Sequence, residues 1–271
     1  MIKRIAAAAV LVPILFLLLY AAPKIVMVVV VGLCSAIAAY ELLYRTGLLK
    51  HLRLVTYSAV FAALVPLWAH FGMNGVYARF GVLVFFLLVF LEIMLAKKRL
   101  PIEKACLCFF GGLLLPYLFS SVTRILSPDG GRYVVLIPFV VACLSDSGAY
   151  FIGCRYGKHK MAPNISPNKS VEGFWGGVAT AVLGMLAYCV VMQFVFKCQV
   201  NYGYAVIYGI LGSFAGALGD LCFSVIKRQT GIKDYGNLIP GHGGVLDRID
   251  SILTVSPLIE ALLIVIPVVV K

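Results

Sequence analysis

Charge is scarce in this 271-residue chain: 13% of its residues are Asp, Glu, Lys or Arg, where about 25% is usual for a soluble protein. Carboxylates are the rarer sign, with 11 Asp and Glu against 23 Lys and Arg. There is no Cys-x-x-Cys pair and no His-rich tract, which excludes the common zinc and dithiol redox frameworks. The eight cysteines lie mostly inside apolar runs and read as small buried hydrophobes. No polar stretch is long enough to build a sizeable soluble domain.

What fills the chain instead is hydrocarbon, with 62% of residues apolar. A bilayer core about 30 Å thick is crossed by roughly 20 apolar helical residues, because unpaired backbone groups are costly there. Such runs recur near Ile5 to Ala22, Ile25 to Leu43, Leu54 to Phe71, Phe80 to Ala96, Ala105 to Leu126, Tyr133 to Gly153, Phe174 to Phe196, Tyr204 to Ile226 and Ile252 to Val270. The fold class read from them is all-α: a polytopic membrane bundle of about nine helices. The first run, behind Lys3 and Arg4, also has the form of a cleaved signal peptide, although it is long enough to span.

Basic residues gather in cytoplasmic loops. With the amino terminus inside, alternate loops differ nearly threefold in Lys and Arg, which places the amino terminus in the cytoplasm and the carboxyl terminus outside. The formal charge of +12 is divided among short loops, so it points to anionic lipid and cytosolic anions and away from nucleic acid. Residues 1–130 read as an amino-terminal set of spans, and 131–271 as a catalytic membrane region with two cytoplasmic motif loops.

Those two loops are richer in Gly, Pro and polar residues than the others. The first runs from Asp146 past Lys158 and His159 to Ser166, Lys169 and Glu172; the second runs from Asp220 past Ser224, Lys227, Arg228 and Lys233 to Asp250. An Asp in a spanning helix costs about 2.5–3.5 kcal/mol on insertion scales, so it normally lines a polar cavity. Asp146 and Asp220 are functional candidates for that reason. On a helix Asp220, Ser224 and Lys227 share one face, which suits an anion and a metal. Ahead of them Gly209, Gly212, Gly216 and Gly219 make a small-residue face, open either to close helix packing or to a direct role.

The turn Pro240-Gly241-His242-Gly243-Gly244 presents backbone N–H groups without side-chain obstruction, as an anion nest does. Asp247 and Asp250 follow, with Arg248 between them. Carboxylate, magnesium and phosphate form one consistent set, since magnesium takes one or two carboxylates plus substrate phosphate oxygens. The plainer alternatives are a charge cluster at a helix start for Asp247, Arg248 and Asp250, and a positive-inside anchor for Lys227 and Arg228. His70 reads as an interfacial, structural residue, and Glu41, Glu92 and Glu260 sit in or beside apolar runs without motif context.

The residues from Ser224 to Asp250, Ser-x-x-Lys-Arg-x4-Lys-Asp-x-Gly-x3-Pro-Gly-His-Gly-Gly-x2-Asp-Arg-x-Asp, resemble the signature of the phosphatidate cytidylyltransferases, also called CDP-diacylglycerol synthases. The first loop is similar to a second region of that family through Ser145, Asp146, Ala149, Tyr150, Gly153, Gly157, Lys158, Ser166, Pro167, Lys169 and Gly173. It departs from the family at Cys154, where a basic residue is usual, so Arg155 is given no phosphate role. The resemblance covers the carboxyl-terminal half; the amino-terminal spans match in hydropathy alone.

The resemblance implies transfer of the CMP moiety of CTP to phosphatidate, giving CDP-diacylglycerol and pyrophosphate, with magnesium required and a second cation allowed. On this reading Asp220 and Asp247 are expected to hold magnesium, with Asp146 and Asp250 in support or holding a second cation. Lys227, Arg228, Arg248 and Ser224 then serve the reacting phosphates, and Ser166, Lys169, Lys233, Gly241, His242, Gly243 and Gly244 bind substrate. A homodimer in a bacterial plasma membrane, with the site facing the cytoplasm, is the implied setting. A transporter with embedded Asp residues and a CTP-dependent lipid kinase are the rival readings.

Overall fold

The computed structural model describes residues 18–71, 75–96, 99–238 and 243–270. They are mostly helical, and among them seven helical segments are long and apolar enough to cross a membrane. The chain clusters into two compact units: Met1–Ser127 with Gln229–Ile249, and Pro128–Arg228 with Asp250–Lys271.

In the first unit α1 (Lys24–Tyr40) starts behind Pro23, whose fixed φ suits a helix entry, and runs into a π-helical turn, Glu41–Arg45, before Gly47 stops it at a φ of 75°. Helices α2 (Leu52–Phe71) and α3 (Val76–Leu95) follow. The next span is segmented: α4 (Glu103–Phe109), a second π turn (Phe110–Leu114), α5 (Leu115–Phe119) and α6 (Ser121–Leu126). The core gathers Leu43, Leu54, Phe61, Phe85 and Val89, with the Phe61 and Phe85 rings stacked 4.3 Å apart. Gly112 permits that closeness, since a methyl there would stand 2.7 Å from the Phe85 ring.

The second unit contains α7 (Ile137–Tyr156), α8 (Val171–Phe194), α9 (Tyr202–Gln229) and α11 (Ile252–Val265); the four-residue α10 (Leu246–Ile249) belongs to the first. Helices α7 and α8 run antiparallel along a glycine seam. A methyl on Gly173 would meet the Ala149 carbonyl oxygen at 2.7 Å, and one on Gly177 the Ser145 carbonyl oxygen at 2.6 Å. Thr180 Oγ1 closes the seam by donating to the Leu144 carbonyl at 3.0 Å. The small face of α9 is likewise packing surface: Gly209 faces Val182 of α8, Gly212 faces Val141 of α7, and Gly216 faces Val255 of α11.

Two expectations are revised. The all-α reading omits two short antiparallel ladders, β1 (Lys160–Ala162) with β2 (Ser166–Ser170), and β3 (Gln199–Val200) with β4 (Val269–Val270). The last apolar run is not one long helix: α11 has 14 residues, about 21 Å at 1.5 Å per residue. Ile266 leaves the helix because Pro267 disfavours helical geometry in the residue before it, and the chain continues as β4. Most of the first run lies outside the described residues.

Apolar side chains cover the outside as well as the core. On α3, Phe80, Leu83, Phe86, Leu87, Leu91 and Met94 are exposed while Ala78, Phe85 and Val89 are buried. Water would not tolerate such a face, whereas hydrocarbon does; the chain is an integral membrane protein. Gly177→Val is expected to cost about 1–3 kcal/mol by forcing the α7–α8 seam apart. Leu87→Ala, on the lipid face, should stay within about 0.5 kcal/mol. Thermal unfolding in detergent, compared with the unmodified chain, measures both.

Candidate active site

The chemistry-bearing residues of the second unit arrive from four elements. Asp146 comes from α7, Lys169 from β2, Asp220, Ser224 and Lys227 from α9, and Asp250 from the turn before α11. The β1–β2 hairpin delivers Lys169 and ends at Ser170, whose hydroxyl accepts the Gly173 N–H at 3.1 Å and caps α8. Glu172 in the first turn of α8 accepts the N–H groups of Lys158 and His159, which holds the entry to the hairpin. Arg228 Nε donates to the Ile165 carbonyl at 3.0 Å and ties the hairpin tip to α9. Ser166 opens β2.

Within this frame Lys169 Nζ lies 2.6 Å from Asp220 Oδ2, and Ser224 Oγ donates to Asp220 Oδ1 at 3.3 Å. The one-face expectation for Asp220, Ser224 and Lys227 is realised on α9. Lys227 Nζ is 3.9 Å from Asp250 Oδ2, Asp250 Oδ1 accepts the Ser251 N–H at 2.9 Å, and Ser251 Oγ donates to Asp146 Oδ2 at 3.3 Å. Three carboxylates, two ammonium groups and two hydroxyls thus meet in one cluster. Burial, then the neighbouring Asp220 charge, pushes the Asp250 carboxyl up to about 7; Lys227 opposes the shift and Asp146 adds to it. Beside the cluster lies a cavity of about 230 Å³, lined by Asp146, Lys169 and Asp220 on its polar side and by Ala149, Phe174 and Ala217 on its apolar side. It is smaller than the 300–1,000 Å³ usual for whole ligands, so it suits a phosphate group and its immediate neighbours.

The remaining candidates lie in the first unit. Asp247 is 7% exposed, and its Oδ2 accepts the N–H groups of Tyr235 at 2.7 Å and Gly244 at 3.0 Å. The N–H groups of Val245 and Leu246 are taken by Glu41, at 3.1 and 2.8 Å. The Gly244 amide, the last of the turn read from sequence as an anion nest, and the two amides after it therefore hold two of the chain's own carboxylates. Gly243 is needed for its φ of 87°, and Gly244 for space, since a methyl there would stand 2.5 Å from the Glu41 oxygens. Lys233 and Arg248 are exposed, while Gly241 and His242 lie outside the described residues. Larger cavities occur in this unit, one apolar of about 810 Å³ beside Trp68 and Tyr117 and one of about 1,060 Å³ beside His51, Arg53 and Glu92, yet neither gathers paired carboxylates.

Outside the motifs, His70 Nδ1 lies 3.2 Å from Ser127 Oγ, and Glu92 lies 3.5 Å from both Arg53 and His51. The reading of the thiols is met in part. All eight are free, but only Cys108, Cys189 and Cys198 are buried, whereas Cys106, Cys143, Cys154 and Cys222 are exposed.

The cytidylyltransferase family profile matches residues 2–266. The chain belongs to that family. The family match thus extends through the amino-terminal spans as well as the motif half. Among relatives, the phosphatidate cytidylyltransferase of Bacillus subtilis (strain 168) is 33% identical over 263 residues, 94% of each chain. The phosphatidate cytidylyltransferase of Staphylococcus epidermidis is 38% identical over 188 residues, 68% of each chain. That of Staphylococcus aureus (strain COL) is 38% identical over 173 residues, 63% of this chain and 64% of the relative.

The raised Asp250 carboxyl has a consequence for stability whose sign can be checked. A folded-state pKa of about 7, above the ordinary 3.8, means that the folded chain binds the Asp250 proton more tightly than the unfolded one. The contribution of this group to stability is complete below the ordinary value and is lost as pH rises through the folded value. Without divalent cations, the melting temperature of Asp250→Asn should therefore gain on that of the unmodified chain as pH increases from 5 to 8, both being followed by thermal scanning in detergent over about that range.

Proposed function

We infer that this membrane protein is a nucleotidyltransferase that transfers the CMP moiety of CTP to phosphatidate, giving CDP-diacylglycerol and pyrophosphate for phospholipid synthesis. The observation that carries the reading is the family match over nearly the whole chain, with relatives named phosphatidate cytidylyltransferase. The carboxylate and ammonium cluster beside a phosphate-sized cavity supports it.

In the reaction a phosphate oxygen of phosphatidate attacks the α-phosphorus of CTP, and the bond to the bridging oxygen of the β-phosphate breaks. The attacking group is already anionic, so the obstacle is charge repulsion and alignment. Lys169 and Lys227, on β2 and α9, offset phosphate charge; Ser224 orients Asp220; and Arg228 fixes the hairpin that carries Ser166 and Lys169. Lys233 and Arg248 are further proposed cations for the phosphates. The apolar wall of the cavity suits a lipid whose acyl chains remain in hydrocarbon.

Magnesium dependence belongs to the same proposal. Among the described residues no three His, Cys, Asp or Glu side chains are already arranged to hold a metal ion. The donors nevertheless fit one that also takes phosphate oxygens, since Asp146 and Asp220 offer hard oxygens on the wall of the phosphate-sized cavity. The bound ion would supply charge neutralisation at the phosphates. Asp247, whose Oδ2 braces its own loop, enters this set only as an expectation from the family signature. A site facing the cytoplasm of a bacterial plasma membrane, where CTP is present, follows from the positive-inside charge pattern. A homodimer remains implied by the resemblance; the glycine face of α9 would not supply its interface, because helices of the same unit already cover it.

Detergent-purified protein should release pyrophosphate only when phosphatidate, CTP and magnesium are all present. Asp220→Asn should reduce that rate by about 10²–10³-fold, as removal of one key electrostatic group does, while the variant still inserts and melts cooperatively. Release without phosphatidate, or an undiminished rate in the variant, would overturn the reading.

A further inference from the structure

Glu41 has no motif around it, yet its carboxylate is 3% exposed and makes the longest-range side-chain hydrogen bonds to the motif loop of the first unit. Oε1 accepts the Val245 N–H and Oε2 the Leu246 N–H, so both oxygens grip consecutive amides at the start of α10. Two glycines of the loop are shaped around it: a methyl on Gly244 would stand 2.5 Å from either oxygen, and one on Gly236 would collide with Oε1. Glu41 also opens the π-helical turn of α1. Such turns are rare and frequent at functional sites, and this one begins at the side chain that reaches the loop.

A carboxylate buried at this depth costs several kcal/mol unless it is fully hydrogen-bonded, and a Gln, Ser or backbone carbonyl could brace a loop more cheaply. Its two anionic acceptors do what a neutral group cannot, since charge-assisted bonds to both amides fix the loop on one rigid support. Asp247, from the other side, takes the Gly244 and Tyr235 amides. Three consecutive amides, 244–246, are thereby held by two carboxylates, and the chain beyond them carries Arg248 and then Asp250.

We propose that Glu41 is a positioning residue for the nucleotidyl transfer: anchored in α1, it clasps the Val245 and Leu246 amides and holds the motif loop in its working conformation. This rests on the functional reading above. Residues that act on phosphates from such a loop need placement to well under 1 Å, and misplacement of that size costs about 10²-fold in rate.

The test combines hydrogen exchange with kinetics on the full chain in detergent. In the unmodified protein the Val245 and Leu246 amides should be protected, and in Glu41→Gln, which keeps one acceptor, one of the two should exchange faster while the melting temperature stays close. Glu41→Ala should expose both and lower kcat by about 10²-fold, with Glu41→Gln between it and the unmodified chain and KM for CTP little changed in either. Unchanged exchange at both amides in the two variants, or unchanged kcat in Glu41→Ala beside an active unmodified chain, would overturn the proposal. If the unmodified chain releases no pyrophosphate, the functional reading fails by itself, and the exchange pattern still decides whether the clasp exists.

Discussion

A carboxylate that leaves water must find protons, cations or N–H donors, and this chain solves that problem in different ways in its two units. In the first, Glu41 and Asp247 are satisfied by backbone amides, so the charges are converted into loop geometry. In the second, Asp146, Asp220 and Asp250 meet Lys169, Lys227, two hydroxyls and the Ser251 N–H. Both are costly arrangements for a bilayer protein. The first yields rigidity, and the second gathers carboxylate and ammonium groups beside a phosphate-sized cavity.

The packing serves that cluster. Glycines along α7, α8 and α9 allow backbones to approach until only hydrogen fits between them, which fixes the helices that carry Asp146 and Asp220. The β1–β2 hairpin, pinned by Glu172 at its entry and Arg228 at its tip, brings Lys169 to the same place from outside the helices. Without the seam the two Asp-bearing helices would be free to slide, and a 2.6 Å ion pair to Asp220 would not be maintained.

Much of this was legible in the amino-acid order because membrane spans are written in run length, and because Asp220, Ser224 and Lys227 obey helical periodicity. The ends of elements were less so: Pro267 cuts the last run, and the two ladders are too short to leave an alternating pattern. The glycines of the motif loop illustrate a different limit. Gly243 and Gly244 suit an anion nest from spacing alone, and the structure shows the Gly244 N–H held by Asp247 and the next two amides held by Glu41. Glu41 is 204 positions from Val245. No local pattern could pair them, although a lone Glu in an apolar run is itself a signal of function.

We propose that the charged cluster of the second unit serves transfer of a nucleotidyl group and not of a terminal phosphate. Following CTP labelled with ³²P at either the α- or the γ-position, with phosphatidate in mixed micelles, tests it most directly. The α-label should enter the lipid and the γ-label should leave as pyrophosphate. Incorporation of the γ-label into lipid would contradict it and identify a kinase.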